Sequence, residues 1–366
     1  MYEEFYGFVQ SPFTLAPDPR FLYLSESHDE AIRLLLQSIR RKEGFIVLAG
    51  DIGTGKTTLC RALLQQLDAT TFTSLVLNPF LSVEELLREI LLDFGVVSRQ
   101  AVRSGRLASA SKHDLISTLH EFLLSLVPIH GSGVLIIDEA QHLSLEVLEQ
   151  IRVISNLETN ESKLLQIVLV GQLNLLDVLA DSQIRQLDQR ISLRAMLRPL
   201  TPVEVEAYVA HRLSVARGTS SVSFEPEALV SVHAYAGGVP RIINLLCDRA
   251  LTLGAQAGVN TISEGLIDEA AQTLALKRPP VPTPVWWKRL PRWVPGAAGA
   301  VAVAALLVLA PPWHRLITVT LPAVAAPPRG AIAPAVEANP IPAEELARQL
   351  APPRRRPILD PVEPEP

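Results

Sequence analysis

Apolar residues along the first 278 positions follow two alternating patterns. Short apolar runs are typical of strands buried on both faces, and the stretches between them have apolar residues at i, i+3 and i+4, as in amphipathic helices. The runs are Phe45–Ala49, Ser74–Leu77, Val134–Ile137 and Gln166–Val170, and the clearest helical stretches are Val83–Phe94, Lys112–Leu126 and Leu145–Leu157. This order predicts an α/β domain whose parallel sheet is covered by helices on both faces.

The strand pattern fades beyond Arg198, and helical patterns follow. They cover Pro202–Leu213, Glu225–Tyr235 and Pro240–Leu253. We therefore predict an α/β domain over residues 1–200 and a small helical lid domain over residues 201–278.

A change in composition marks the end of the folded part. Of the 29 prolines, 20 lie between Pro279 and Pro366, where helices and central strands cannot be sustained. We predict a proline-rich linker with a basic juxtamembrane segment over residues 279–292. For residues 314–366 we predict a disordered tail rich in proline and alanine.

The stretch between linker and tail is uncharged from Val294 to Pro312. As a helix, the 21 residues from Trp293 to Trp313 would span about 31 Å, close to the thickness of a membrane's hydrocarbon core. We predict a single transmembrane helix here, with a buried or interfacial helix, which Pro295 favours, as the alternative. Because basic residues precede the stretch, the positive-inside tendency places the folded domains in the cytoplasm.

The net charge and the cysteine content argue against a nucleic-acid-binding protein and against a metal site built from cysteines. The formal net charge of −5 provides no overall attraction for nucleic acid. Cys60 and Cys247 lie in apolar helical patterns without neighbouring histidine or cysteine, which favours buried core positions over a metal site. The N-terminus has no basic region followed by an apolar core, so we predict no signal peptide.

A glycine-rich motif follows the first apolar run directly. The sequence from Gly50 to Thr58 fits G-x-x-x-x-G-K-[ST] and leads into the helical pattern Leu59–Leu67, which is the context that a phosphate-binding loop requires. Its backbone N–H groups are expected to converge on phosphate oxygens, Lys56 to bridge the β- and γ-phosphates, and Thr57 to bind Mg²⁺. We predict that ATP and Mg²⁺ bind here, with contacts from Gly50, Asp51, Ile52, Gly53, Thr54, Gly55, Lys56, Thr57 and Thr58.

Two acidic residues follow the apolar run Val134–Ile137. Asp138 is expected to hold Mg²⁺ through water, and Glu139 to polarise the water that attacks the γ-phosphate. The alternative for two such acids is a pair at a helix N-cap. The sequence Asp138–Gln141 is also similar to the DExx box of helicases, although only over four letters.

Further polar residues are candidates to complete the site. Gln172, after the fourth run, would orient the nucleophilic water, with a plain turn residue as the alternative. Arg241, at a helix start in the lid, would reach the γ-phosphate, with a plain surface arginine as the alternative. Arg185 and Arg190 are candidates for an arginine finger that completes a neighbouring subunit's site, which would make the enzyme an oligomer. Intramolecular salt bridges are an equal alternative for both.

Several of these motifs occur together in one family. Besides the phosphate-binding loop they include Phe8–Phe13, Asp18–Ser25, His28 with Glu30 and Ala31, Ser155–Thr159, Gly171–Gln172 and Gly238–Arg241. Over about residues 1–275 the chain resembles the ExeA/GspA-type AAA+ ATPases of bacterial type II secretion, which have relatives in pilus and exopolysaccharide systems.

This resemblance implies a bacterial inner-membrane protein whose cytoplasmic AAA+ domain acts with a membrane protein partner in an envelope assembly. It also implies that Phe21 and Tyr23 pack beside the adenine. Members of the family with the secretion role usually continue, after the membrane helix, into a periplasmic peptidoglycan-binding domain. Here the Pro/Ala-rich tail occupies that place, which puts direct peptidoglycan contact in doubt.

Three functional hypotheses follow. The first is an ATPase that drives assembly or remodelling of an envelope complex for secretion, pilus or polysaccharide export. The second is a nucleotide-gated oligomeric scaffold with little turnover, which Glu139 disfavours. The third is a DNA-associated ATPase, which the negative charge, the membrane segment and the lack of a basic DNA-binding module disfavour.

Overall fold

Five parallel strands form the central sheet of the computed structural model, which describes residues 2–98, 100, 110–159, 162–216, 218 and 222–278. The strands are β1 (Phe45–Gly50), β2 (Thr71–Val76), β3 (Ser132–Ile137), β4 (Leu165–Gly171) and β5 (Ile191–Leu197). They lie in the order β2-β3-β4-β1-β5, and each neighbouring pair is parallel. The predicted parallel sheet is therefore confirmed.

The sequence pattern does not predict β5, which lies at an edge of the sheet. Ala195 and Leu197 in this strand are buried, whereas Ser192 and Arg194 are exposed. An edge strand with one partly exposed face needs fewer apolar residues than a central strand. Polar residues therefore interrupt the apolar run by which such a strand is recognised.

Helices cover both faces of the sheet. Among the described residues, the helices before β5 are α1 (Tyr2–Tyr6), which packs with the lid, and α2 (Glu26–Arg40), α3 (Lys56–Leu64), α4 (Val83–Asp93), α5 (Lys112–Ser125), α6 (Leu145–Ile154), α7 (Asn174–Leu179) and α8 (Arg185–Asp188). In β1, Phe45 belongs to the apolar cluster formed with α4, α5 and α6, and Ile46 to the cluster formed with α2 and α3. Because both faces of β1 are buried, the strand is apolar throughout. Cys60 and Cys247 are both buried, as predicted.

The lid follows the sheet. It contains α9 (Pro202–Ala216), α10 (Pro226–Ala236), α11 (Pro240–Gln256), α12 (Glu264–Thr273) and the short parallel strands β6 (Ser223–Phe224) and β7 (Thr261–Ile262). Its apolar cluster also contains aromatic residues from the start of the chain, namely Tyr2, Tyr6, Phe8, Phe13 and Phe21. Residues 2–21, the N-terminal segment, therefore pack with the lid, although they lie at the start of the predicted α/β domain of residues 1–200.

No helix among the described residues is long and apolar enough to cross a membrane. The predicted transmembrane helix, Trp293–Trp313, lies outside the described residues. The same holds for the linker from residue 279 onward and for the tail.

Candidate nucleotide-binding site

A cleft of about 340 Å³ lies where the carboxyl ends of β1, β3 and β4 face the lid. The carboxyl ends of parallel strands meet at one edge of a sheet, which is where ligands of open α/β sheets bind. Besides the loop between β1 and α3, the α/β part lines the cleft with Glu139 and Gln172. The other walls are formed by Thr14, Leu15, Ala16, Pro17, Phe21, Leu22, Tyr23 and His28 near the N-terminus, and by Leu200, Tyr208, Arg212, Pro240, Arg241 and Asn244.

Two glycines curl the loop between β1 and α3. Gly53 and Gly55 have φ angles of +81° and +97°, in the left-handed region that glycine tolerates best, and Gly55 is the N-cap residue of α3. The predicted motif residues that line the cleft are Ile52, Gly53, Thr54, Gly55, Lys56, Thr57 and Thr58. Gly50 and Asp51 contribute backbone carbonyl groups behind this lining.

The Lys56 ammonium is held inside the loop. It donates hydrogen bonds to the carbonyl oxygens of Gly50 and Asp51, each at 2.9 Å. Burial lowers the pKa of Lys56, while the carboxylates of Glu139 and Asp138 act in the opposite direction. The site thus contains a cation close to two carboxylates, at the point where phosphate charge is expected.

Thr57 and Asp138 are joined directly. The Thr57 Oγ1 donates a hydrogen bond to Asp138 Oδ2 at 2.6 Å, and the backbone amide of Glu139 donates to Asp138 Oδ1 at 2.9 Å. Hydroxyl and carboxylate oxygens are ligands that Mg²⁺ accepts, and Mg²⁺ is usually bound by one or two carboxylates together with substrate phosphates. The pair therefore fits a magnesium ion that enters with a nucleotide.

Glu139 lies next to the side chain of Gln172. Its Oε2 accepts hydrogen bonds from Gln141 Nε2 at 2.6 Å and from Gln172 Nε2 at 3.4 Å. Glu139 itself has a left-handed backbone, with φ +52°, which turns the chain at the end of β3. The sequence identifies Glu139 and Gln172 as candidates but misses Gln141. The feature of the sequence that could have pointed to Gln141 is its position two residues after Glu139.

Arg241 connects the lid to the phosphate-binding loop. Its backbone amide donates a hydrogen bond to the carbonyl oxygen of Gly53 at 3.2 Å, and its side chain lines the cleft. Arg241 lies in the first turn of α11, so the lid touches the loop at the start of a helix.

Neither candidate finger residue lines the cleft of its own chain. Arg190 donates hydrogen bonds to Ser155 Oγ at 3.1 Å and to the Asn156 side chain. Arg185 is exposed at the start of α8. The structure thus gives Arg190 internal partners, although these are polar side chains and not the carboxylates of a salt bridge.

The N-terminal segment is bound to both sides of the cleft. The Arg212 guanidinium on α9 donates hydrogen bonds to the carbonyl oxygens of Pro12 and Thr14 at 2.6 and 2.8 Å and lies 4.4 Å from the centre of the Phe21 ring. Arg61 on α3 donates to the carbonyl oxygen of Pro17 at 2.8 Å. Phe21 and Tyr23 both line the cleft, on the wall shared with this segment.

His28 joins Ser25 to the loop between β1 and α3. The Ser25 hydroxyl lies 2.6 Å from His28 Nδ1, and His28 Nε2 lies 2.9 Å from the carbonyl oxygen of Thr54. Since a carbonyl oxygen only accepts, Nε2 carries the proton and Nδ1 accepts from Ser25. Burial lowers the pKa of His28, which favours this neutral form.

Known proteins resemble both the sequence and the fold. Residues 39–179 match the AAA domain family. The chain is 42% identical over 271 residues to General secretion pathway protein A of Aeromonas hydrophila; the match covers 74% of this chain and 48% of that protein. The chain thus spans about half the length of this curated relative.

Two solved structures share the fold at low sequence identity. The ORC2 protein of Aeropyrum pernix, in ADPNP and ADP complexes, matches with a TM-score of 0.57 at 18% identity, over 73% of this chain and 72% of that one. Cdc6p of Pyrobaculum aerophilum matches with a TM-score of 0.57 at 15% identity, over the same shares. The chain therefore contains an AAA domain with the P-loop α/β fold, and its resemblance to the ExeA/GspA-type AAA+ ATPases is confirmed.

Proposed function

We propose that the protein binds MgATP in this cleft and hydrolyses it to drive assembly or remodelling of a bacterial envelope complex. The observation that carries the hydrolytic part is that Glu139 and Gln172 meet beside the Thr57–Asp138 pair. A scaffold that only binds nucleotide requires the phosphate-binding loop. It does not require a carboxylate with an amide donor beside the expected position of the γ-phosphate.

Each residue has a role in the proposed reaction. Lys56 would donate to β- and γ-phosphate oxygens, and Thr57 and Asp138 would hold Mg²⁺, which neutralises phosphate charge. Glu139 accepts a proton from the attacking water, which Gln172 orients. The water oxygen bonds to the γ-phosphorus as the bond to the leaving β-phosphate oxygen breaks, so ADP and phosphate leave.

The lid is the element that converts this reaction into movement. Arg241 combines a backbone contact to Gly53 with a side chain in the cleft, so its guanidinium is the lid's candidate ligand for the γ-phosphate. Loss of that phosphate would remove a charge-assisted contact between the lid, residues 201–278, and the α/β domain, residues 1–200.

Phosphate release by the full-length protein in detergent tests the enzymatic proposal. Turnover that requires Mg²⁺ and disappears in both Lys56→Ala and Glu139→Gln would support it. Tight ATP binding without such turnover would support the nucleotide-gated scaffold instead. Salt-dependent binding to DNA would favour the DNA-associated alternative.

We further propose that the protein is a homo-oligomer in the bacterial inner membrane and acts with a membrane protein of an envelope assembly. The similarity to a protein named for the general secretion pathway and the apolar segment 293–313 support this location. Residues 279–292 would then be cytoplasmic and residues 314–366 periplasmic. The proposal includes neither nucleic acid nor peptidoglycan as a partner. Recovery of the full-length chain in the cytosolic fraction would contradict the single-pass topology.

A further inference from the structure

The side-chain amide of Gln141 is hydrogen-bonded at both ends. Its Nε2 donates to Glu139 Oε2 at 2.6 Å, and its Oε1 accepts the backbone N–H of Gln172 at 3.1 Å. Gln141 is 8% exposed, so its amide is largely shielded from water, whereas its partners Glu139 and Gln172 line the cleft. One side chain therefore joins the carboxylate that follows β3 to the backbone that follows β4.

The chemistry of the two partners fixes the orientation of this amide. The backbone N–H of Gln172 can only donate, and an ionised carboxylate of Glu139 can only accept. Rotation of the amide by 180° would place two donors together at one end and two acceptors at the other. The neighbouring Gly171 makes space for this amide, because a Cβ at that position would lie 2.6 Å from Gln141 Oε1.

Among the described residues, side-chain donors reach one oxygen of Glu139, Oε2. Oε2 accepts from Gln141 and, at the longer distance of 3.4 Å, from Gln172. A carboxylate on a flexible side chain can rotate toward the Lys56 ammonium, which also lines the cleft. A short hydrogen bond from a buried amide opposes that rotation.

We propose that Gln141 is the positioning residue that orients Glu139 for catalysis and couples it to the backbone of Gln172. The inference rests on the proposed ATPase function and deepens it. Gln141 does not line the cleft, whereas Glu139 does, so Gln141 acts through Glu139 and its substitution should lower the turnover number without weakening ATP binding.

Gln141→Met tests this, because methionine has a similar length and shape but cannot donate or accept these hydrogen bonds. We expect the turnover number to fall by about 10–100-fold, as for a misplaced catalytic group, while the dissociation constant for ATP stays unchanged. The matched control is Gln150→Met on α6. Gln150 is also buried, at 3% exposed, and its Nε2 has no hydrogen-bond partner among the described residues, so this variant should keep wild-type turnover.

Gln141→Glu tests the contact with Glu139 separately from the contact with the Gln172 backbone. An ionised glutamate keeps an acceptor for the Gln172 N–H but removes the donor and brings a second carboxylate to Glu139, so turnover at a pH at which both carboxyl groups are ionised should fall at least as far as in Gln141→Met. Wild-type turnover of Gln141→Glu at that pH would make the contact with Glu139 unnecessary and the proposal wrong. Unchanged turnover in Gln141→Met would also overturn it.

A double-mutant cycle shows whether Gln141 acts through Glu139. In a Glu139→Ala background, Gln141→Met should have no further effect on the residual turnover; the same fold loss there would overturn the inference. A wild-type protein without Lys56-dependent turnover would overturn the proposed function instead. In that case the same cycle on the free energy of unfolding still tests the contact, since additive losses would contradict it.

Discussion

The backbone amide of Arg241 lies 3.2 Å from the carbonyl oxygen of Gly53, so the first turn of the lid helix α11 touches the phosphate-binding loop. The two residues are also close at their side-chain positions: a Cβ on Gly53 would lie 2.7 Å from the Cβ of Arg241. The conformation of the loop and the position of the lid are therefore coupled through this contact.

Gly53→Ala should disturb this contact. An alanine at φ +81° costs about 1–2 kcal/mol in backbone strain, and its methyl group would push against Arg241. We expect lower stability in chemical unfolding and weaker ATP binding. The control is Gly95→Ala, which has a similar φ of +76° but no described atom within 4 Å of the added Cβ. Equal effects of the two variants on stability and ATP binding would show that the lid contact is unimportant.

Lys56→Ala should abolish nucleotide binding. The ammonium is the buried cation of the loop, and its phosphate contacts are lost with it. In the wild type, MgATP at about 100 times its dissociation constant should stabilise the fold by roughly 2.7 kcal/mol, and this shift should vanish in the variant. Exposed Lys112, outside the cleft, provides the control Lys112→Ala. A folded Lys56→Ala variant that retains the full shift would refute the assigned role.

Glu139→Gln should separate binding from hydrolysis. The amide matches the carboxylate in size but cannot take the proton of water, and loss of general-base catalysis typically lowers the rate by about 10²–10⁴-fold. ATP binding, followed by the ligand-induced rise in melting temperature, should remain. Hydrolysis at nearly the wild-type rate would move the catalytic role to another residue and strengthen the scaffold hypothesis.

Arg185→Ala and Arg190→Ala test assembly. If one arginine completes a neighbour's site, its alanine variant should bind MgATP but hydrolyse it about 10³–10⁵-fold more slowly. Mixing that variant with Lys56→Ala subunits in detergent should restore activity, because one partner supplies the finger and the other the loop. Absence of any recovery, although the subunits associate, would leave both arginines with structural roles only.

His28 should contribute to the pH dependence of stability. Burial lowers its pKa in the folded protein, with the contact to the Thr54 carbonyl and the charge of Glu204 opposing, so folding favours the neutral ring. An unfolded histidine takes up a proton below about pH 6.5. The contribution is therefore present above that pH and lost as the pH falls toward the folded-state pKa. His28→Gln should show a smaller loss of unfolding free energy between pH 7.5 and 5.5 than the wild type, whereas exposed His113→Gln should not.

The sequence predicts the parts of the site that local chemistry determines. The loop from Gly50 to Thr58 and the Asp138–Glu139 pair are recognisable because each is contiguous and follows a strand buried on both faces. Gln141 is not predicted because its role depends on Gln172, which follows β4, whereas Gln141 follows β3, and the two are adjacent only in the folded chain. Strand β5 is not predicted for a different reason: its position at the edge of the sheet permits polar residues, which interrupt the apolar run.

The contacts of the N-terminus are equally inaccessible to pattern analysis. Tyr2 hydrogen-bonds to Asp248, and Arg212 to the carbonyl oxygen of Pro12. Both contacts join the first residues to the lid across most of the folded chain. Periodicity within a short window contains no information on such distant pairs. The prediction of an α/β domain over residues 1–200 therefore does not include the packing of its first aromatic residues in the lid.

The strand order has a consequence for synthesis on the ribosome. Phe45 of β1 pairs with Ile167 of β4 and Ile191 of β5, so the strand that carries the phosphate-binding loop receives both neighbours only after these distant segments have been synthesised. Pairings between such distant segments form slowly, and unpaired apolar strands expose the nascent chain to aggregation. A ribosome-bound chain that ends before Ile191 should therefore be sensitive to proteases and unable to retain nucleotide, because β1 then lacks one of its two neighbouring strands.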